Sequence, residues 1–349
     1  MRILVCGGAG YIGSNMTAML AAEEHDPVVY DNLSKGHKAA IAPLLAFACP
    51  RVSRRESGRR ARKQGGEFVK GDLADYKLLV KTLKKYKIDA VFHFAGLIEV
   101  GESVQAPLKY YHNNLSCTQT LLSAMEAAGV EKFIFSSSAA VYGIPKQVPI
   151  TEDSPTAPIN PYGQTKLAVE RMCHFQSQTG KLRYASLRYF NAAGAGANGA
   201  LGEDHRPESH LIPLTIFAAM GKIDAIKIYG TNYPTPDGSC IRDYIHIEDL
   251  CRAHLLALSK LDKQPELVYN LGNGNGCSVK EVIETVKKVS GKKFKVVESD
   301  RRPGDAPILT SDATKAKNEL GWKPKFPDLE KIIETAWLWH SKFPNGYPE

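Results

Sequence analysis

The chain has 349 residues, of which 43% are hydrophobic and 23% charged, and a formal net charge of +8. This is long enough for a large core and two lobes, and the composition is that of an ordinary soluble globular protein. No apolar run reaches membrane-span length, and the seven cysteines are scattered without a CxxC pair, which argues against a disulfide frame or a zinc site and for reduced thiols in the cytoplasm.

Residues 2–6, Arg-Ile-Leu-Val-Cys, read as a strand buried on both faces, not as a secretory signal. Gly7-Gly8-Ala9-Gly10-Tyr11-Ile12-Gly13 follows, then a helical run to about Glu24. Gly7 permits the tight turn, Gly10 lets backbone close on a pyrophosphate, and Gly13 lets helix pack on strand. The helix N-terminus then faces the phosphates. The next apolar run, Pro27–Tyr30, ends in Asp31-Asn32. An acid there accepts hydrogen bonds from the adenosine ribose hydroxyls and repels a 2′-phosphate, which favours NAD over NADP. Lys35 weakens that preference, and a plain turn residue is the alternative reading of Asp31.

Residues 33–66 form a long connection, with a helix expected in part of 38–47. Between Arg51 and Lys63 it carries seven basic residues and one acid, Glu56, but no aromatic residue for base stacking. A solvated loop is therefore preferred to a nucleic-acid patch. Glu67-Phe68-Val69 begins a third strand, and Asp72-Leu73 beyond it places a carboxylate where it can meet an adenine amino group. A helix over about 75–86 leads to Ala90–Phe94, with Ala95 and Gly96 small enough to let backbone approach a cofactor. His93, between Phe92 and Phe94, reads as a core histidine. Helical pattern then runs over about 103–128 and carries Asn113, which faces backbone, cofactor or solvent.

Phe133-Ile134-Phe135 runs into Ser136-Ser137-Ser138. Beyond the carboxyl end of such a strand the Ser138 hydroxyl can hydrogen-bond a substrate oxygen. After a Pro-rich loop comes Tyr162-Gly-Gln-Thr-Lys166 on a helix, so phenol and ammonium share one face. Bringing a phenol from its usual pKa of about 10 to about 7 needs roughly 4 kcal/mol of preferential phenolate stabilisation. One lysine and a second positive charge, such as an oxidised nicotinamide, supply it in a partly desolvated site. Tyr184–Phe190 gives a sixth strand, followed by Asn191. Two further clusters, Arg242–His246 and Arg301–Asp305, suit a diphosphate ligand, with surface ion pairs as the alternative.

Together, Gly7–Gly13, Asp31-Asn32, Asp72-Leu73, Phe94–Leu97, Gly101–Ser103, Ser136–Gly143, Tyr162–Lys166, Leu187–Asn191, Arg242–His246 and Arg302–Asp305 resemble the UDP-glucose 4-epimerase family of the extended short-chain dehydrogenase/reductase superfamily. The resemblance runs nearly end to end. It implies an α/β fold: a doubly wound, Rossmann, mainly parallel sheet over about 1–188, some return of chain near 240–260, and a smaller C-terminal α/β lobe over 189–349 for the nucleotide sugar. It implies bound NAD, held by the residues above together with Phe190, and a homodimer without membrane or nucleic-acid partners. Tyr162 would act as base on the sugar 4-hydroxyl and Ser138 would bond that oxygen. Lys166 would hold the nicotinamide ribose and lower the Tyr162 pKa. Asn191, His210, Leu211, Lys227, Tyr229, Arg242, Arg302, Asp305 and Leu309 match nucleotide- and sugar-holding positions; no metal is implied.

Three departures from the family pattern stand out. The segment 41–64 is longer than in compact relatives. Ile98 occupies a position where some relatives carry lysine. Leu309 stands where some relatives carry a large aromatic that restricts the sugar pocket; the smaller side chain is expected to leave space for a 2-acetamido group, and so to admit UDP-GlcNAc and UDP-GalNAc. Dehydration across C5 and C6 would need an acid–base pair after Ser138, where this chain has Ala139 and Ala140. This argues against the nearest enzymatic rival, a sugar-nucleotide 4,6-dehydratase, but not against a UDP-glucuronate or UDP-xylose type epimerase or decarboxylase; a non-catalytic NAD sensor is the rival of another class.

Overall fold

The structure is a computed structural model and describes residues 1–46, 66–302 and 304–348. The basic run 51–63 lies outside the described residues. Seven strands make the central sheet: β1 (Arg2–Cys6), β2 (Asp26–Asp31), β3 (Glu67–Lys70), β4 (Ala90–His93), β5 (Lys132–Ser138), β6 (Arg183–Tyr189) and β7 (Glu266–Leu271). They are parallel throughout, in the spatial order β7-β6-β5-β4-β1-β2-β3. The sheet is Rossmann-like, and the order reverses between β1 and β4.

These strands are apolar without alternation because both faces are covered. Ile3, Val5, Phe92 and Ile134 pack on one side with Met16 and Leu20 of the helix Tyr11–Ala22 and with Leu250 and Ala253 of the helix Ile247–Lys260. Leu4, Val91 and Phe133 face the other side, against Leu79 and Leu83 of the helix Tyr76–Tyr86 and Leu121 and Met125 of the helix Cys117–Ala128. Each such side chain contributes about 1.5–3 kcal/mol on burial. The chain's return to this layer extends past 260. Leu267, Tyr269 and Leu271 of β7 join the same core cluster, and β7 pairs in register with β6.

A second, smaller layer is built around the strand Ile241–His246, flanked by Asn191–Ala193, Gly276–Ser278 and Ile308–Leu309. A separate pair joins Ile226–Tyr229 to Val296–Ser299. The helices Leu211–Ala219, Val279–Ser290 and Leu329–Lys342 cover this layer through Ile212, Ile216, Val282, Val286, Ile332 and Ile333.

The expected helix over 103–128 is broken. Helices Val100–Gln105 and Pro107–Tyr110 meet at Ala106, since Pro107 lacks the N–H a continuous helix needs. Tyr111–Ser116 is then wound as a wider π-turn before the helix Cys117–Ala128. Such turns recur at functional sites, and this one carries Asn113 and Asn114. No helix among the described residues is long and apolar enough to cross a membrane.

Candidate active site

A cleft of about 500 Å³ opens beyond the carboxyl ends of β1, β4 and β5, at the point where the strand order reverses. Gly7, at φ +75°, presses its backbone against the loop after β4, where a Cβ would stand 2.6 Å from the Ala95 nitrogen. At Gly13 a Cβ would stand 2.0 Å from the Gly7 carbonyl oxygen, so only glycine lets the first helix start this close to β1. Gly10 caps that helix without a side-chain hydrogen bond, leaving first-turn amides facing the cleft for an anion. Asp31 is buried, its Oδ2 accepting from the Ala9 amide at 2.9 Å and its Oδ1 from the Leu33 amide at 2.8 Å. Burial raises its pKa and these two hydrogen bonds oppose the rise. The Asn32 amide donates to Asp72 Oδ2 at 2.8 Å, tying the ends of β2 and β3 together. A narrow apolar crevice with backbone amides at one end and a carboxylate at the other fits a dinucleotide.

Gly7, Gly10, Tyr11, Ile12, Gly13, Asp31, Asn32, Asp72, Leu73, Phe94, Ala95, Gly96, Asn113, Ser138, Tyr162 and Phe190 all line this one cleft. Asn113 contributes indirectly. Its amide donates to Asn114 Oδ1 at 2.9 Å, and Asn114 is the residue that clamps the site. Asn114 exchanges hydrogen bonds with the Leu97 backbone at 2.8 and 3.0 Å and reaches Thr165 Oγ1 at 3.3 Å. The loop after β4 is thereby fastened to the helix Pro161–Gln178.

That helix starts with Asn160 as N-cap, its side chain accepting from the Gly163 amide at 2.8 Å, and Pro161 at its first position. The cap sets the helix so that Tyr162 faces Ser138. Burial holds the Tyr162 phenol above its usual pKa, and the neighbouring Ser138 hydroxyl pulls it back down. Ser138 also accepts from the Ala140 amide at 3.1 Å, which fixes its rotamer. Lys166 is not among the lining residues. It lies just behind them, with Nζ donating to the Ser136 carbonyl at 2.6 Å and standing 5.8 Å from the Tyr162 ring centroid. Burial lowers its pKa to about 8, while Glu170 one turn along the helix acts to raise it.

Beneath this trio lies a buried polar network that the sequence reading did not single out. Glu170 accepts from Arg188 at 2.6 Å and from the Ser137 hydroxyl at 2.5 Å. Arg188 Nη1 donates to the Tyr142 hydroxyl at 2.9 Å, which in turn donates to Asn270 at 2.7 Å. Asn270 sits on β7, so β5, β6, β7 and the helix with Tyr162 are locked together by one chain of hydrogen bonds.

The residues expected to hold the nucleotide sugar fall into two groups. Asn191, His210, Arg242, Asp305 and Leu309 line the cleft. The Asn191 amide donates to the Asp243 carbonyl at 2.9 Å, and Arg242 pairs with Asp305 at 3.3 Å. The His210 imidazole is turned to Glu203 and Glu208. Leu211, Lys227, Tyr229 and Arg302 stand outside the lining. Leu211 packs against the apolar clusters of the second layer, and Lys227 is exposed on its strand. Arg302 stacks over the Tyr229 ring, its guanidinium carbon 3.9 Å from the centroid.

Residues 3–272 match the NAD dependent epimerase/dehydratase family, and the chain belongs to that family. The UDP-glucose 4-epimerase of Halalkalibacterium halodurans is 47% identical over 348 residues, covering 99% of this chain and 98% of the relative. The solved UDP-glucose 4-epimerase of Brucella ovis, in complex with NAD, superposes with a TM-score of 0.87 at 45% identity, covering 96% of this chain and 97% of that one. The UDP-Glc/GlcNAc 4-epimerase of Campylobacter jejuni does so with a TM-score of 0.82 at 44% identity, over 98% and 99% of the two chains.

Proposed function

We propose that this protein is an NAD-dependent 4-epimerase that interconverts UDP-galactose and UDP-glucose through a 4-keto sugar. The observation that carries this reading is that Ser138 and Tyr162 line one cleft together with the glycine-rich turn and Asp31. NAD, when bound, supplies the two-electron acceptor and donor. Tyr162 takes the proton of the sugar 4-hydroxyl and later returns it. Ser138 hydrogen-bonds the same oxygen and lowers the energy of the phenolate. Lys166 keeps a positive charge behind the phenol below a pH of about 8. Asn191, Arg242 and Asp305 hold the nucleotide sugar, and the stacked Arg302 and Tyr229, with Lys227, extend that site beyond the cleft. Ala139 and Ala140, next to Ser138, have no proton to trade, which speaks against dehydration.

Two finer points belong to the same proposal. Residues 1–188 with the returning chain form the cofactor-binding domain, and the rest of 189–349 the sugar-binding one. Val104, Leu108 and Phe175 are exposed on three helices that pack together, and this face pairs with a second copy of the chain. Light scattering that gives a monomer mass would remove the second point. The main reading is tested by incubating the protein with UDP-galactose, UDP-GalNAc and UDP-xylose separately and identifying products by NMR. C4 inversion of UDP-galactose supports it; an unchanged sugar, or loss of water or of a carbon, overturns it.

A further inference from the structure

We propose that Glu203, His205, Glu208 and His210 form a site for one divalent transition-metal ion, best suited to zinc, in the wall of the cleft. The four residues lie on a single irregular segment between Gly202 and the helix Leu211–Ala219, and one donor atom from each falls within 4.8 Å of all the others. The two imidazoles turn the same nitrogen inward. His210 Nδ1 stands 2.9 Å from Glu203 Oε1 and 3.1 Å from Glu208 Oε1. His205 Nδ1 stands 3.2 Å from Glu203 Oε1 and 3.8 Å from Glu208 Oε1. Bonds of about 2.0–2.2 Å to a tetrahedral ion put neighbouring donors about 3.3–3.6 Å apart. The imidazole–carboxylate spacings, from 2.9 to 3.8 Å, bracket that edge length.

The rival reading is a cluster of imidazolium–carboxylate ion pairs. It accounts for His210 and gives His205 Nδ1 an ion-pair contact with Glu203 at 3.2 Å, without an aligned hydrogen bond, but it leaves one buried carboxylate oxygen unexplained. Glu208 Oε2 is buried with no hydrogen-bond partner, on a side chain only 3% exposed. A carboxylate oxygen in that position is costly unless something else meets it. A dication neutralises the two carboxylates while both histidines stay neutral, and two nitrogens with two carboxylate oxygens are a donor set that zinc accepts. Glu208 Oε1, the oxygen nearest the two imidazoles, also accepts from the Ser209 and His210 amides at 2.8 and 2.9 Å, so Oε2 is the oxygen left free for an ion. Such outer contacts are usual around metal ligands.

All four positions of the ion would be filled by the chain, which marks a closed, structural site. Its effect is on the cleft wall. Glu203, His205 and His210 line the cleft. The His205 ring meets the edge of Tyr11, next to the glycine-rich turn, at 6.3 Å. The ion would hold this wall in place without touching the reacting groups.

The test uses the full chain, stripped with chelator, returned to metal-free buffer and titrated with Co²⁺ alone. Saturation at one equivalent, with a visible absorption band that Zn²⁺ displaces, is the expected result, as is a rise of several degrees in the thermal midpoint on adding zinc. Absence of a saturable band in the unaltered protein overturns the site. A His205→Ala, Glu208→Gln double variant should lose the band. If the variant binds cobalt like the parent, the ion sits elsewhere and the assignment is equally overturned. None of these readouts depends on turnover, so they stand apart from the epimerase reading.

Discussion

Glu170 and Arg188 meet at 2.6 Å in the interior, their side chains 6% and 8% exposed, one helical turn past Lys166. The pair does two things at once. It closes the network that joins the helix of Tyr162 to the sheet, and it places a negative charge that holds the Lys166 pKa up against burial. Replacing Glu170 with Gln leaves the Arg188 guanidinium buried without a counterion. The expected cost is about 3–5 kcal/mol of folding stability, read from urea denaturation. In the surviving folded fraction, the high-pH fall in kcat/KM should move to lower pH, because Lys166 then gives up its proton sooner. An unmoved alkaline limb would detach Glu170 from Lys166.

The Tyr162–Ser138 contact predicts a different signature. Tyr162→Phe should retain cofactor and lose turnover by roughly 10²–10⁴-fold, the usual contribution of a positioned acid–base group. Ser138→Ala should be milder, on the order of 10²-fold. It should also shift the acid limb of kcat/KM to higher pH, since the hydroxyl lowers the phenol pKa and its loss raises it. A Ser138→Ala profile that merely drops without shifting would mean that the hydroxyl acts on the sugar alone.

Leu309 lines the cleft and packs beside Val141, Tyr142 and Ile150. Leu309→Tyr fills the space assigned to a 2-acetamido group. The variant should still epimerise UDP-galactose and lose turnover of UDP-GalNAc, as followed by chromatography of the UDP-sugars. Equal loss on both substrates would place the specificity elsewhere.

Acid sensitivity of the fold follows from its buried histidines. Burial lowers the pKa of His93 to about 3 and of His246, His254 and His340 to about 4. The unfolded chain takes up these protons near the ordinary histidine value of about 6.5. Between about 4 and 6.5 the unfolded state therefore binds more protons than the native state, and stability falls as pH drops through that window. At pH 5 each such group costs about 2 kcal/mol relative to neutral pH. His254 is fully buried against Phe92, Phe94 and Tyr189, so leucine is tolerable there. His254→Leu should flatten the drop in urea midpoint between pH 7 and pH 5 relative to the parent protein. Parallel curves for the two proteins would remove His254 from the account.

What could be read from the chain was what the backbone demands locally. The glycines at 7, 10 and 13, the acid at Asp31 and the Tyr162–Lys166 spacing each follow from short-range geometry, so they were legible without a fold. The Glu170–Arg188 pair was not. It joins a helix to a strand, and nothing in the local pattern distinguishes Glu170 from a solvated helical acid. Asn113 stood out in sequence and lines the cleft, but the clamping role of its neighbour Asn114 is announced by no periodicity. The Glu203–His210 segment does alternate its polar ligand types. Amid loop residues, however, that pattern reads as ordinary surface until burial is known.

The pairing of β7 with β6 also bears on how this molecule can be cut and recombined. A fragment ending after Tyr189 would present β6 as a bare, apolar margin with unsatisfied amides and carbonyls, an invitation to aggregation. It would also strand the Tyr142 hydroxyl without its Asn270 acceptor. The dinucleotide-holding half is thus not a removable cassette, and chimaeras with related enzymes should be joined beyond Leu271.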